Sequence, residues 1–164
     1  MLARATPLLL ALLIGATGAS ACIRQVDIKQ TFRVVDLGGG WYDAGIVGGK
    51  NKLIPTVTFR IEKTIDETVR PLSVNVLFKQ IKGQNEEDWD EVFLQRVEVT
   101  EGNRTQPLVV RPDAGATGEP PQTRAEMLQN THFVDIRAVI FVKQSSANWV
   151  ELARYDIPRQ VLTH

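Results

Sequence analysis

Residues able to carry out covalent or metal chemistry are scarce in this chain. It contains one cysteine, Cys22, and two histidines, His132 and His164, among 164 residues. Nucleophilic catalysis needs a base within reach of the nucleophile, and a closed zinc site needs four ligands, mostly cysteine or histidine. His132 lies at a predicted junction between a helix and a strand, where a polar side chain commonly bonds to the backbone. We therefore predict that the protein is not an enzyme and uses no metal ion or cofactor.

The one dense cluster of carboxylates runs from Glu86 to Glu91. Oxygen ligands of this kind can hold calcium, but the spacing and the central glycine of a calcium-binding loop are absent. Neighbouring residues of a strand also point to opposite faces, which separates the carboxylates. The cluster therefore predicts a solvated hairpin tip.

Gly49-Lys50 invites comparison with the phosphate-binding motif G-x-x-x-x-G-K-[ST]. Ala44 occupies the position of the first glycine, and Asn51 occupies that of the final hydroxyl residue. Both changes remove groups that the phosphate and magnesium contacts need. We interpret the segment as a turn that leads into a strand.

The segment that ends at Cys22 indicates where in the cell the protein is located. Arg4 supplies a positive start, Leu8 to Ile14 form an apolar run, and small residues follow from Gly15 to Ala21. The run is too short to span a bilayer, which takes about 20 residues. This layout is typical of an export signal, so we predict a signal peptide over residues 1–21.

Ala19-Ser20-Ala21-Cys22 resembles a bacterial lipobox, in which the cysteine receives lipid, although Ala19 stands where leucine is usual. Ala19-Ser20-Ala21 also fits ordinary signal peptidase, which would give a secreted or periplasmic soluble protein. The lone thiol directly after the small residues favours lipidation of Cys22. The resemblance to bacterial lipoproteins implies the outer membrane, with the domain facing the periplasm, because Ile23 stands where aspartate marks retention at the inner membrane. Residues 22–27 then form the lipidated cysteine and a short tether, whose five residues after Cys22 reach less than ~20 Å.

Alternation of apolar and polar residues dominates the remaining chain and predicts half-buried strands. Val57, Phe59 and Ile61 share one face, as do Leu72, Val74 and Val76. The predicted strands include residues 28–34, 56–62, 72–78, 133–143 and 149–157, and the last two form a hairpin.

One short helix is predicted over residues 123–130, because Thr123 and Glu126 have the spacing of a capping box. Residues 89–99 change phase near Phe93-Leu94, which predicts a bulge. Seven or so strands with a single helix favour an all-β domain over residues 28–164, an antiparallel β-sandwich.

With these strands and the Ala19–Cys22 motif, the chain resembles small bacterial lipoproteins with an immunoglobulin-like domain. The resemblance implies an immunoglobulin-like β-sandwich behind a lipid anchor. The Cys…Trp…Cys pattern of antibody domains is absent, so no disulfide braces the predicted core.

Two sets of residues are candidates for binding. Trp41 and Tyr42 follow Gly38-Gly39-Gly40, a predicted flexible bend, and suggest a site for a small ligand or glycan. Val139 and Phe141 lie out of phase with the inward set of their strand, so that they form either an exposed patch for a partner or a surface covered by residues 123–130. The loop over residues 112–122 is either a binding loop or a crossover between sheets.

The balance of charge limits the kinds of partner that the protein attracts. Lys+Arg and Asp+Glu both number 19, so no strong field attracts nucleic acid. We therefore predict a non-enzymatic envelope lipoprotein, an accessory or protein-binding module at the membrane surface with an envelope protein as partner. The alternative prediction is a ligand- or glycan-binding sandwich.

Overall fold

The computed structural model describes residues 26–162. The predicted signal peptide, Cys22, residues 23–25 of the tether and His164 lie outside the described residues. The elements are α1 (Ile28–Thr31), β1 (Phe32–Val47), β2 (Lys50–Lys63), β3 (Leu72–Lys82), β4 (Asn85–Val97), a 3-10 turn (Glu101–Asn103), β5 (Leu108–Val110), β6 (Ala116–Gly118), α2 (Arg124–Gln129), β7 (Asp135–Gln144) and β8 (Val150–Asp156).

The strands form two antiparallel sheets, so the predicted all-β sandwich is confirmed. In sheet A, β2 lies between β1 on one side and β5 and β6 on the other. In sheet B, the order is β4-β3-β7-β8. The predicted late hairpin is β7–β8, and the Gly48–Gly49 turn leads into β2 as expected.

The core lies between the inner faces of the two sheets. Val57, Phe59 and Ile61 of β2 are fully buried, as the alternation predicts. They face the inward set of sheet B. That set includes Val74, Val76, Phe78, Ala138, Ile140 and Val142.

Three local predictions need correction. Residues 28–31 are helical because the Asp27 carboxylate accepts hydrogen bonds from the backbone amides of Lys29 and Gln30. Residues 38–40 are part of β1 and not a bend; a Cβ at Gly39 would lie 2.4 Å from the carbonyl oxygen of Thr56, so glycine permits close pairing with β2. The β4 bulges fall at Trp89 and at residues 95–96, not at Phe93-Leu94.

The capping box of α2 is present, since Thr123 and Glu126 each accept from the other's backbone amide. Met127 and Leu128 are buried and join the core. α1 and the 3-10 turn add to the single predicted helix.

The two ends of the sandwich differ. The starts of β1 and β8 line one groove, which includes Phe32 and Ala153, and farther along the strands Gly39 lies beside Tyr155. β1 and β8 therefore run in the same direction. Through the antiparallel pairings, the start of β3 and the ends of β4 and β7 share this N-terminal end. The turns at residues 48–49 and 83–84 lie at the opposite, far end.

Candidate functional site

Trp41 and Tyr42 do not form an open aromatic platform. Trp41 is 0% exposed, and its ring packs edge-on against Phe133 with the centroids 4.6 Å apart. Tyr42 is half-buried, and the guanidinium carbon of Arg111 lies 3.9 Å from the centre of its ring. A role for these two residues in glycan or ligand binding stays a prediction, and for Trp41 it would require the side chain to leave the core.

Val139 and Phe141 share the outward face of sheet B, as their phase predicts. Val139 is 1% exposed, so it is not part of an open patch, whereas Phe141 is half-buried. Helix α2 does not explain the burial of Val139, because its apolar side chains enter the core. Val139 lies between Leu77 and Arg154 in the sheet register.

An ion-pair network crosses the outward face at Val139. Glu86 on β4 bonds Arg137 on β7 at 2.5 Å and lies 3.4 Å from Arg154 on β8. These side chains can meet only by reaching over β3 and β7, on the face of the sheet that carries Val139. The pKa of Arg137 is raised, chiefly because its guanidinium donates to Asp156, and the same contact lowers the pKa of Asp156.

Three further carboxylates of the acidic cluster also bond to separate groups. Glu87 pairs with Lys82 and Asp88 with Lys79, while Asp90 accepts from the amide of Ala114. The cluster lies along β4 and not at the hairpin tip, which is the turn at residues 83–84. Among residues 26–162, no group of three or more histidine, cysteine or acidic side chains is arranged to hold a metal ion.

Next to Phe141 lies an exposed group that we call the aromatic patch: Phe93, Phe141, Lys143 and Trp149. Phe93 and Phe141 flank Asn75 in one row across the sheet. Phe93 is 53% and Trp149 36% exposed, and their ring centroids are 6.1 Å apart. The Lys143 ammonium lies 4.6 Å from the centre of the Trp149 ring, a cation–π contact. The patch therefore combines an apolar surface with one cation, near the N-terminal end.

The β1–β2 turn at the far end exposes two aliphatic side chains. Ile46 is 64% and Val47 50% exposed. Gly48 and Gly49 both have positive φ, 59° and 80°, which is the conformation of a tight two-residue hairpin turn. We call residues 45–50 the apolar finger.

The root of the finger is fixed by side chains from the 112–122 loop and from α2. Arg124 pairs with Asp43 at 3.0 Å, and Lys50 pairs with Glu119 at 2.7 Å. Asn51, which is buried, donates to the carbonyl oxygen of Gln122 at 2.5 Å. The long loop thus contains β6, which pairs with β2, and supports the finger; a binding role for it stays a prediction.

Sequence reasoning missed Ile46, Val47, Phe93 and the exposure of Trp149. A signal for the finger was present, because two adjacent β-branched residues directly before Gly-Gly place one aliphatic side chain on each side of a hairpin tip. No comparable signal separates Trp149 from Trp41, since burial depends on the far strands that each one meets.

The comparisons with known proteins leave the family open. No protein-family description matches the sequence, and no curated protein or solved structure gives a significant match. None of the helices within residues 26–162 has the length and apolar character needed to cross a bilayer.

Proposed function

We propose that the protein is a non-enzymatic, protein-binding module with an immunoglobulin-like fold, exported by a signal peptide and held at the bacterial outer membrane by lipid on Cys22. The observation that carries the binding role is the apolar finger. Exposed aliphatic side chains at a hairpin tip add nothing to the core, and they favour contact with an apolar surface of another molecule.

The finger is preorganised for contact with an apolar surface. Its root is held by the Asp43–Arg124 and Lys50–Glu119 ion pairs, and β-branched side chains have few rotamers to lose on binding. Preorganisation of this kind lowers the entropic cost of association. The occupant that fits is a protein with an apolar cleft wide enough for a two-stranded hairpin.

The position of the finger favours a protein over a lipid surface. β1 has 16 residues and spans roughly 50 Å between the N-terminal end and the finger. A chain anchored just before α1 has its lipid at the end of the domain opposite the finger. The partner is therefore expected in the periplasm or in another envelope layer.

A site-specific photo-crosslinker at position 46, in the full-length protein in its own cells, tests the binding role. We expect one discrete protein adduct, and we expect Val47→Asp to abolish it. The matched control is a crosslinker at Val109, which is 54% exposed on β5. Absence of an adduct at position 46, or equal adducts at both positions, contradicts the proposal.

The anchor is tested separately with Cys22→Ser. We expect this variant to leave the membrane pellet almost completely, because one acyl-bearing residue supplies the whole attachment. A variant that matures and pellets as before would reject lipidation and favour the alternative of a secreted or periplasmic soluble protein. No observation on the described residues favours the ligand- or glycan-binding alternative.

A further inference from the structure

We propose that the aromatic patch docks on the surface of the same membrane that holds the lipid anchor. This inference rests on the proposed lipidation of Cys22. The inference assigns an orientation to the domain. It also assigns a lipid ligand to the aromatic patch, which the proposed protein-binding role of the finger does not use.

The first support is where the anchored chain enters the fold. α1 packs against β7 and β8, and Lys29 of α1 lines one groove with Glu151, which is paired with Phe141 in the sheet register. The patch thus lies one strand from the helix that receives the tether. With five residues between Cys22 and Ile28, the membrane surface lies within ~20 Å of this end.

The second support is the chemistry of the side chains. Tryptophan carries a large apolar ring with a polar N–H and is enriched at membrane–water interfaces. Phe93 offers an apolar ring of high exposure beside Trp149. The alkyl chain of Lys143 can stay packed along the aromatic rings while its ammonium group contacts a lipid phosphate.

The two carboxylates nearest the patch along β8 and β4 toward the far end, those of Glu151 and Glu91, do not oppose this contact strongly. Glu151 is bonded to Arg154 at 2.8 Å, which lowers the pKa of Glu151 and neutralises its charge. Glu91 faces Leu77, two positions from Phe93 toward the far end, and so lies farther from the anchor. The larger carboxylate network around Glu86 lies beyond it in the same direction.

Docking through this patch directs the apolar finger away from the bilayer. The patch lies near the N-terminal end, and the finger lies at the other end of β1. A domain swinging freely on its tether would sample the finger in all orientations, whereas a docked one presents it outward.

Tryptophan quenching by brominated lipid tests the docking. Full-length lipidated protein, purified from membranes, is reconstituted into phosphatidylethanolamine–phosphatidylglycerol vesicles with or without brominated acyl chains. The chain has three tryptophans, of which Trp41 is in the core. We expect brominated vesicles to reduce the emission of the native protein, and the reduction to vanish in Trp149→Phe but persist in Trp89→Phe. Lys143→Gln should lower the docked-to-undocked ratio about fivefold in these anionic vesicles, with no change in neutral ones.

Vesicle flotation in the same samples separates the two proposals. Protein that floats with Trp149 quenched supports both the anchor and the docking. Protein that floats without quenching overturns the docking and leaves the anchor standing. Protein that does not float overturns the anchor and, with it, this inference.

Discussion

The apolar finger and the aromatic patch both expose apolar surface, and the fold builds them in different ways. Among the described residues, four of the six large hydrophobic side chains that are exposed belong to them: Ile46, Val47, Phe93 and Trp149. In the finger, the apolar atoms extend beyond the sandwich and the support comes from polar groups at the root. In the patch, half-buried Phe141 lies on a central strand of sheet B, next to fully covered Val139.

Because of this difference, the apolar side chains of the finger and those of the patch relate differently to folding and to the proposed binding. Ile46 and Val47 stabilise nothing that the structure shows, so their apolar character is unexplained by the fold. In the patch, Phe141 contributes to folding as well as to the proposed contact, because it shields the outward side of β7 while it presents part of its ring. A substitution of Ile46 or Val47 therefore tests recognition alone, whereas one at the base of the patch also tests the sheet.

The largest expected contrast in stability is between Phe141→Ala and Ile46→Ala. Removing the half-buried ring of Phe141 should lower the free energy of unfolding by about 2 kcal/mol, through lost apolar burial and packing. Ile46→Ala should change it by less than about 0.5 kcal/mol, because the side chain is 64% exposed. Urea denaturation followed by circular dichroism measures both. Equal losses would show that the finger packs into the fold, and the comparison would fail.

A somewhat smaller effect is expected from the backbone of the finger. Gly49 has φ of 80°, a region that costs a residue with a side chain about 1–2 kcal/mol. Gly49→Val should therefore destabilise the protein by about that amount and weaken crosslinking from position 46. Gly38→Val is the matched control, because Gly38 lies in β1 without positive φ and nothing lies within 4 Å of a Cβ added there. A neutral Gly49→Val would mean that the turn is not held in this conformation.

The sandwich could be predicted because alternation has a period of two and one face of each strand is buried. Val57, Phe59 and Ile61 show this plainly: all three are in the core. The capping box before α2 is also local, since Thr123 and Glu126 satisfy each other's backbone. Such features need no knowledge of distant strands.

The candidate sites could not be predicted in the same way. Trp41 and Trp149 look equivalent in the sequence, yet Trp41 packs on Phe133 and Trp149 lies at a surface. On the face that carries Val139, Glu86 bonds Arg154; the two residues are 68 positions apart and meet only when β4 and β8 join one sheet. Residues 28–31 do carry a local helix signal, the Asp27 N-cap. It competes with the apolar–polar alternation that runs through these residues into β1.

The smallest predicted effect concerns pH and again contrasts the two ends. Near the N-terminal end, the mostly buried carboxylate of Glu62 accepts from Arg104 at 2.8 Å and from Arg33, and these contacts lower its pKa below the ordinary value of 4.5. At the finger root, Glu119 is 72% exposed in its pair with Lys50, so solvent screens the contact.

Glu62 should therefore make stability depend on pH. A carboxyl whose pKa is lower in the folded state binds fewer protons there than in the unfolded chain. Its contribution is present above the unfolded value of 4.5 and is lost as the pH falls through the folded value. We expect Glu62→Gln to lower the melting temperature at pH 7 and to approach the native protein as the pH falls to 3. Glu119→Gln, in an exposed ion pair, should match the native protein at pH 7. A Glu62→Gln deficit that is the same at both pH values would show that the contact is steric and not ionic.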